Sequence, residues 1–226
     1  MFAIDHAATA LLVKRRYPAV PLIPLLVSVQ AMELAWVLLN YVGVERTTTE
    51  PVVRYVGDIH LAYMPWSHSV LTVLAAVLVV WAATALLGSG RLGAILGLGI
   101  VTHLVLDILT HNGDIALGPF AGAPEYGTFL YGRCPVVAFL VELAYGIACW
   151  RVFRGGKPLL AIIVGFNVAN VSLFFPSIPG PEGLLAGRPM VIVTVILAQI
   201  VVTLWAIWWG ARRSVDGARP AAGGGR

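Results

Sequence analysis

The chain has 226 residues, of which 59% are hydrophobic and 12% charged, and its mean hydropathy is +0.87. A soluble domain of this size cannot bury that much apolar surface, so composition excludes an ordinary soluble globule and gives an all-α, polytopic membrane helix bundle. The net charge of +4 does not indicate nucleic acid, because the basic residues flank apolar runs, as membrane orientation requires.

Residues 1–17 read as an amphipathic lead-in that need not span; they hold His6 and end in Lys14-Arg15-Arg16. Six apolar runs follow, at about 19–43, 70–87, 92–112, 134–153, 158–175 and 189–209, each near the roughly 20 residues that a bilayer needs. Glu33 lies in the first run. Pro65-Trp66-Ser67-His68-Ser69 opens the second. The third holds His103, Asp107 and His111, and its glycines 93, 97 and 99 read as a small-residue packing face. Glu142 lies in the fourth, with Cys134 and Cys149 too far apart on one helix to form a disulfide. Trp66, Trp205, Trp208 and Trp209 read as interface anchors, and His60 as an interfacial histidine. Residues 1–211 thus form a single membrane-embedded helical domain, and the tail 212–226, ending Ala-Ala-Gly-Gly-Gly-Arg, reads as disordered.

Charge predicts orientation. With the amino end inside, Lys14, Arg15, Arg16, Arg91, Arg151, Arg154, Lys157, Arg212, Arg213, Arg219 and Arg226 fall on the inner side. Only Arg46, Arg54, Arg133 and Arg188 fall outside. The expectation is an integral plasma-membrane protein with both termini cytoplasmic. The long outer loops, about 44–69, 113–133 and 176–188, hold Asp58, His60, His68 and Asp114, so the chemistry should face outward.

Ionisable groups at membrane depth are costly and mark function. On a helix His103, Asp107 and His111 are four residues apart and point the same way. His103 lies about 18 Å along the third span at 1.5 Å per residue, and Glu33 and Glu142 reach a similar depth. Carboxylates there need a partner, a proton or a metal. His103 and Asp107 grip a divalent ion, zinc or manganese, and His68 supplies a ligand from another helix. His103 and His111 are roughly 12 Å apart along a straight helix. On that spacing His111 serves a second metal, a substrate phosphate, or a supporting role behind the ligands. Ser67-His68-Ser69 lacks the strand-turn-helix elbow of a serine hydrolase.

The Pro65-Trp66-Ser67-His68-Ser69 stretch, followed by His103-x-x-x-Asp107-x-x-x-His111, resembles the bacterial membrane-bound metal-dependent hydrolase family. The resemblance covers roughly residues 1–153 and implies that His6 and Glu33 match its amino-terminal histidine and first-span acidic position. His111-Asn112-Gly113-Asp114 and Glu142 fit one branch of it. That family is distantly similar to zinc-dependent phospholipase C and the P1-type nucleases, which implies hydrolysis of a phosphoester such as a lipid head group. Where relatives carry Pro-Asp-x-Asp in the first span, this chain has only Glu33. His6 precedes the basic run, so it reaches the other histidines only if residues 1–17 re-enter the bundle. The metal ligands expected are His68, His103, Asp107 and His6. Glu33 or Glu142 is expected to act as general base, with His111 beside the reacting group. Two other functions fit the same polar layer: an ion or small-solute transport path, and an inactive structural His–Asp network.

Overall fold

The computed structural model describes residues 1–216. Helix α1 (Ala3–Arg16) is followed by α2 (Leu22–Val29) and α3 (Ala31–Tyr41), then by the antiparallel hairpin β1 (Arg46–Thr49) and β2 (Ile59–Tyr63). Next come α4 (Val70–Leu86), α5 (Gly90–Ile108), the small hairpin β3 (Ile115–Ala116) and β4 (Glu125–Tyr126), and the single turn α6 (Leu130–Arg133). Helices α7 (Pro135–Phe153), α8 (Lys157–Ala169) and α9 (Pro189–Asp216) complete the bundle. The fold is therefore mostly helical, with strands confined to loops.

The helices start where the sequence allows. Pro135 and Pro158 sit in the first turns of α7 and α8, where a missing N–H costs nothing. Ser69 caps α4, its Oγ accepting from Thr72 N. Gly93 and Gly99 make two close helix crossings. A Cβ at Gly93 would overlap Trp81 Cα on α4, at 2.7 Å, and one at Gly99 would overlap Ser28 of α2. The predicted small-residue face on α5 thus serves two neighbours.

Among the described residues, three helices are long and apolar enough to cross a membrane, α5, α7 and α9 over Pro189–Ser214. The α2–α3 pair, bent by 53°, makes a fourth if counted as one broken span. The expected count of six spans is therefore not confirmed. α4 and α8 lie where expected, but their 17 and 13 residues give only about 26 and 20 Å at 1.5 Å per residue, against a hydrocarbon core of about 30 Å.

The lead-in is the larger correction. α1 is a central helix, with Ala7, Ala8, Ala10 and Leu11 fully buried and packed against α2, α5, α7, α8 and α9. Its four small or apolar positions let neighbours approach closely, and its basic residues Lys14, Arg15 and Arg16 end it. Lys14 Nζ donates to the carbonyls of Pro18 and Val20, closing the turn into α2. α1 therefore inserts His6 into the bundle, and Met1 is buried rather than at a membrane surface. At the other end α9 runs on to Asp216, so residues 212–216 are helical. The rest of the predicted disordered tail, 217–226, lies outside the described residues.

Candidate functional site

The break between α2 and α3 begins the site. At Gln30 the backbone leaves the helix (φ −112°, ψ 4°), and its side chain donates to Ala3 O at 2.7 Å, tying the break to α1. Because α2 stops at Val29, that carbonyl is free to accept from His103 Nδ1 at 2.8 Å. A carbonyl only accepts, so Nδ1 carries the proton and His103 Nε2 presents a bare lone pair.

His68 is fixed the same way. Ser67 Oγ donates its single proton to Glu45 Oε2 at 2.7 Å, and lies 2.7 Å from His68 Nδ1. The hydroxyl can therefore only accept from Nδ1, which leaves His68 Nε2 bare as well. Glu45 is itself held by Trp66 N and Ser67 N, each at 2.8 Å. Burial raises its carboxyl above the ordinary value, and the bonds from Ser67 and Trp66 oppose that rise.

The two lone pairs meet. His68 Nε2 and His103 Nε2 are 3.2 Å apart. Glu33 Oε2 lies 3.2 Å from the first and 3.7 Å from the second. Asp107 Oδ2 lies 3.6 and 3.1 Å from them. Asp107 Oδ2 is buried with no hydrogen-bond partner. Two nitrogen lone pairs and two carboxylate oxygens thus share one small volume with no proton donor between them. That arrangement is repulsive unless a proton or a metal cation occupies it. Zinc–nitrogen and zinc–oxygen bonds of 2.0–2.1 Å put ligand atoms about 3.3 Å apart in a tetrahedron, and the separations among His68 Nε2, His103 Nε2 and Asp107 Oδ2 bracket that value, with Glu33 Oε2 beside the open fourth position. The residues therefore fit a divalent ion. Among the four, Glu33 keeps some exposure (21%), while the other three are at most 1% exposed.

The second oxygen of Asp107 is used differently. Oδ1 accepts from the Met1 nitrogen at 2.6 Å, contacts His6 Nε2 at 3.1 Å, and lies 3.6 Å from His111 Nε2. His6 also stacks on His103, ring centroids 4.0 Å apart. His6, His103 and Asp107 form a further trio whose ligand atoms lie within 4.8 Å of one another. His111 departs from the straight-helix expectation. α5 ends at Ile108, and His111 folds back in the following turn, with Nδ1 3.5 Å from Asp114. It therefore approaches the same carboxylate as His103.

Glu142 is set apart from these atoms. It is fully buried, accepting from Tyr131 OH and, at 3.2 Å, from Phe2 N. Asp5 is buried nearby with both oxygens unpaired, and Oδ1 fills the space a Cβ at Gly146 would need. His60 pairs with Glu50 on the exposed β1–β2 hairpin at 2.9 Å, away from the centre. Cys134 and Cys149 are free thiols.

A cavity of about 170 Å³ opens beside the centre, with Glu33, His6, His111 and Tyr131 at one end and Trp36, Ile192 and Ile196 along its wall. The sequence expectation grouped Glu33, His68, His103 and Asp107, with His6 joining only by re-entry and Glu142 at the same depth. The structure also brings His6 and His111 to Asp107, while Glu142 bonds to Tyr131 and Phe2. The sequence expectation missed Glu45, Ser67 as a link, Asp5 and Tyr131. The only signals for them were a serine beside His68 and an acid beside His6. No family model, no curated protein and no solved structure matches this chain.

Proposed function

We propose that this chain is an integral membrane, metal-dependent hydrolase acting on a phosphoester. The observation that carries the reading is the convergence of two histidine lone pairs, each fixed by a bond on the opposite ring nitrogen, with Glu33 and Asp107. When bound, a zinc or manganese ion supplies charge neutralisation for a phosphoryl group and activation of water. His68, His103 and Asp107 hold that ion, and Glu45 and Val29 keep the two rings in the ligating tautomer. Glu33, at the cavity end, takes the proton from the attacking water. His111, Asn112 and Tyr131 line the same opening and orient the phosphoryl oxygens. The bias of basic residues to one side supports an arrangement with the basic end of α1 on the cytoplasmic side and the centre toward the other.

A transport path is less well supported. Between the centre and the basic end of α1 lies a packed apolar group that includes Leu11, Leu25, Leu159, Ile163 and Ile207, all fully buried. That group is apolar, with Thr9 and Tyr145 a hydrogen-bonded polar pair near it.

The test is hydrolysis of bis(p-nitrophenyl) phosphate by zinc- and manganese-loaded protein. Glu33→Gln is expected to lower kcat by about 10²–10⁴ while the metal stays bound, and Asp107→Ala to lose both. Equal turnover in parent and Asp107→Ala would exclude this centre as the source of activity.

A further inference from the structure

We propose that the substrate is a single-tailed amphiphile, with a phosphate head at the His68–His103–Asp107 group and its hydrocarbon tail in the cavity between α3 and α9. This rests on the hydrolase reading and adds the substrate class to it. The cavity carries polar side chains, among them Glu33, His111, Asn112 and Asp114, but most of its lining is apolar. Its wall runs along Trp36, Leu61, Ile192 and Ile196. Two other polar side chains of the lining are bonded within the protein. Gln199 Nε2 donates to Asn170 Oδ1 at 2.6 Å, and Asn170 Nδ2 donates to Phe166 O at 2.8 Å. Trp36 Nε1, on the same wall, is buried without a hydrogen-bond partner.

An apolar cavity of this size favours hydrocarbon over water, since a water placed in it finds too few partners. A small water-soluble phosphoester would engage the centre and leave the wall unused. A tail would fill it, each buried methylene adding about fourfold in affinity. Entry is available from the bilayer. Val195 lines the cavity and is 47% exposed, and it continues into the exposed apolar face of α9 at Val191 and Val202. A lipid tail can pass from the surrounding acyl chains into the cavity without crossing water.

The probe is 12-bromododecyl phosphate, added to zinc-loaded protein in phosphatidylcholine nanodiscs. Bromine quenches a tryptophan it touches, and Trp36 (1% exposed) is on the cavity wall. The signal is the quenching present in the parent and absent in Trp36→Phe. Half-quenching is expected at a concentration about tenfold or more below that of 12-bromododecanol, which lacks the head, and inorganic phosphate should compete only weakly. Ile196→Phe, which narrows the cavity, and Val195→Phe, which narrows its entrance on an exposed position, should each raise the half-quenching concentration about tenfold without changing zinc content. If zinc is bound and Trp36 is not quenched, or if neither phenylalanine variant matters, the amphiphile proposal fails while the metal centre stands. If the parent holds no zinc or manganese, both fail.

Discussion

Two groups of buried carboxylates sit within the same bundle and have opposite surroundings. Asp107 and Glu33 face nitrogen lone pairs, His68 Nε2 and His103 Nε2, with no hydrogen donor among the four atoms. Glu142 faces donors, the hydroxyl of Tyr131 and the amide of Phe2. The first arrangement calls for a proton or, as proposed, a metal ion between its atoms; Glu142 is satisfied by donors of the protein itself. Residue type and depth are the same in both, so what separates a ligand from a structural acid is which atom of the neighbour is turned toward it. In the first group that choice is made remotely, by Val29 O and by the Glu45–Ser67 pair.

Variants can break or sharpen this contrast. The largest effect is expected for His68→Ala, which should abolish stoichiometric metal binding, measured by elemental mass spectrometry. It removes a ligand and the histidine that faces Glu33 and Asp107 Oδ2. Glu45→Gln touches no metal-facing atom. It weakens the acceptor for Ser67 Oγ, and loss of the tautomer lock should lower metal affinity by about 10–100-fold, read by competition with a chromogenic chelator. In the other group Tyr131→Phe should leave metal affinity unchanged. It should cost about 1.5–3 kcal/mol of stability by removing a donor to a buried acid, read as a fall in melting temperature. The smallest change is Asp5→Asn. Both oxygens of Asp5 are buried and unpaired, so removing the carboxylate should raise the melting temperature by about 2–4 °C, with metal content unaltered.

Much of the centre was readable in the chain. His103 and Asp107 share a helical face because they are one turn apart, and Ser67-His68 stands out because a histidine opens an apolar run. The helical, membrane-type fold followed from hydropathy. What could not be read depended on breaks in regular structure. His111 lies past the end of α5, so a straight-helix distance overstated its separation from His103. The break at Gln30, with no proline or glycine to announce it, bends α2 against α3 and frees the carbonyl that fixes His103. The count of six spans is not confirmed: α4 matches its predicted run but has only 17 residues, and α8 stops at Ala169, short of the predicted 175. α1 was misread because its short apolar stretch, flanked by Asp5 and three basic residues, looks interfacial. Its burial depends on five other helices that a local pattern does not contain.

The most direct measurement is metal stoichiometry of purified protein by elemental mass spectrometry, comparing the parent with His103→Ala and Glu142→Gln. The account predicts about one zinc or manganese per chain in the parent, none in His103→Ala, and the parent value in Glu142→Gln. A parent without metal, or metal lost in Glu142→Gln and kept in His103→Ala, would contradict it.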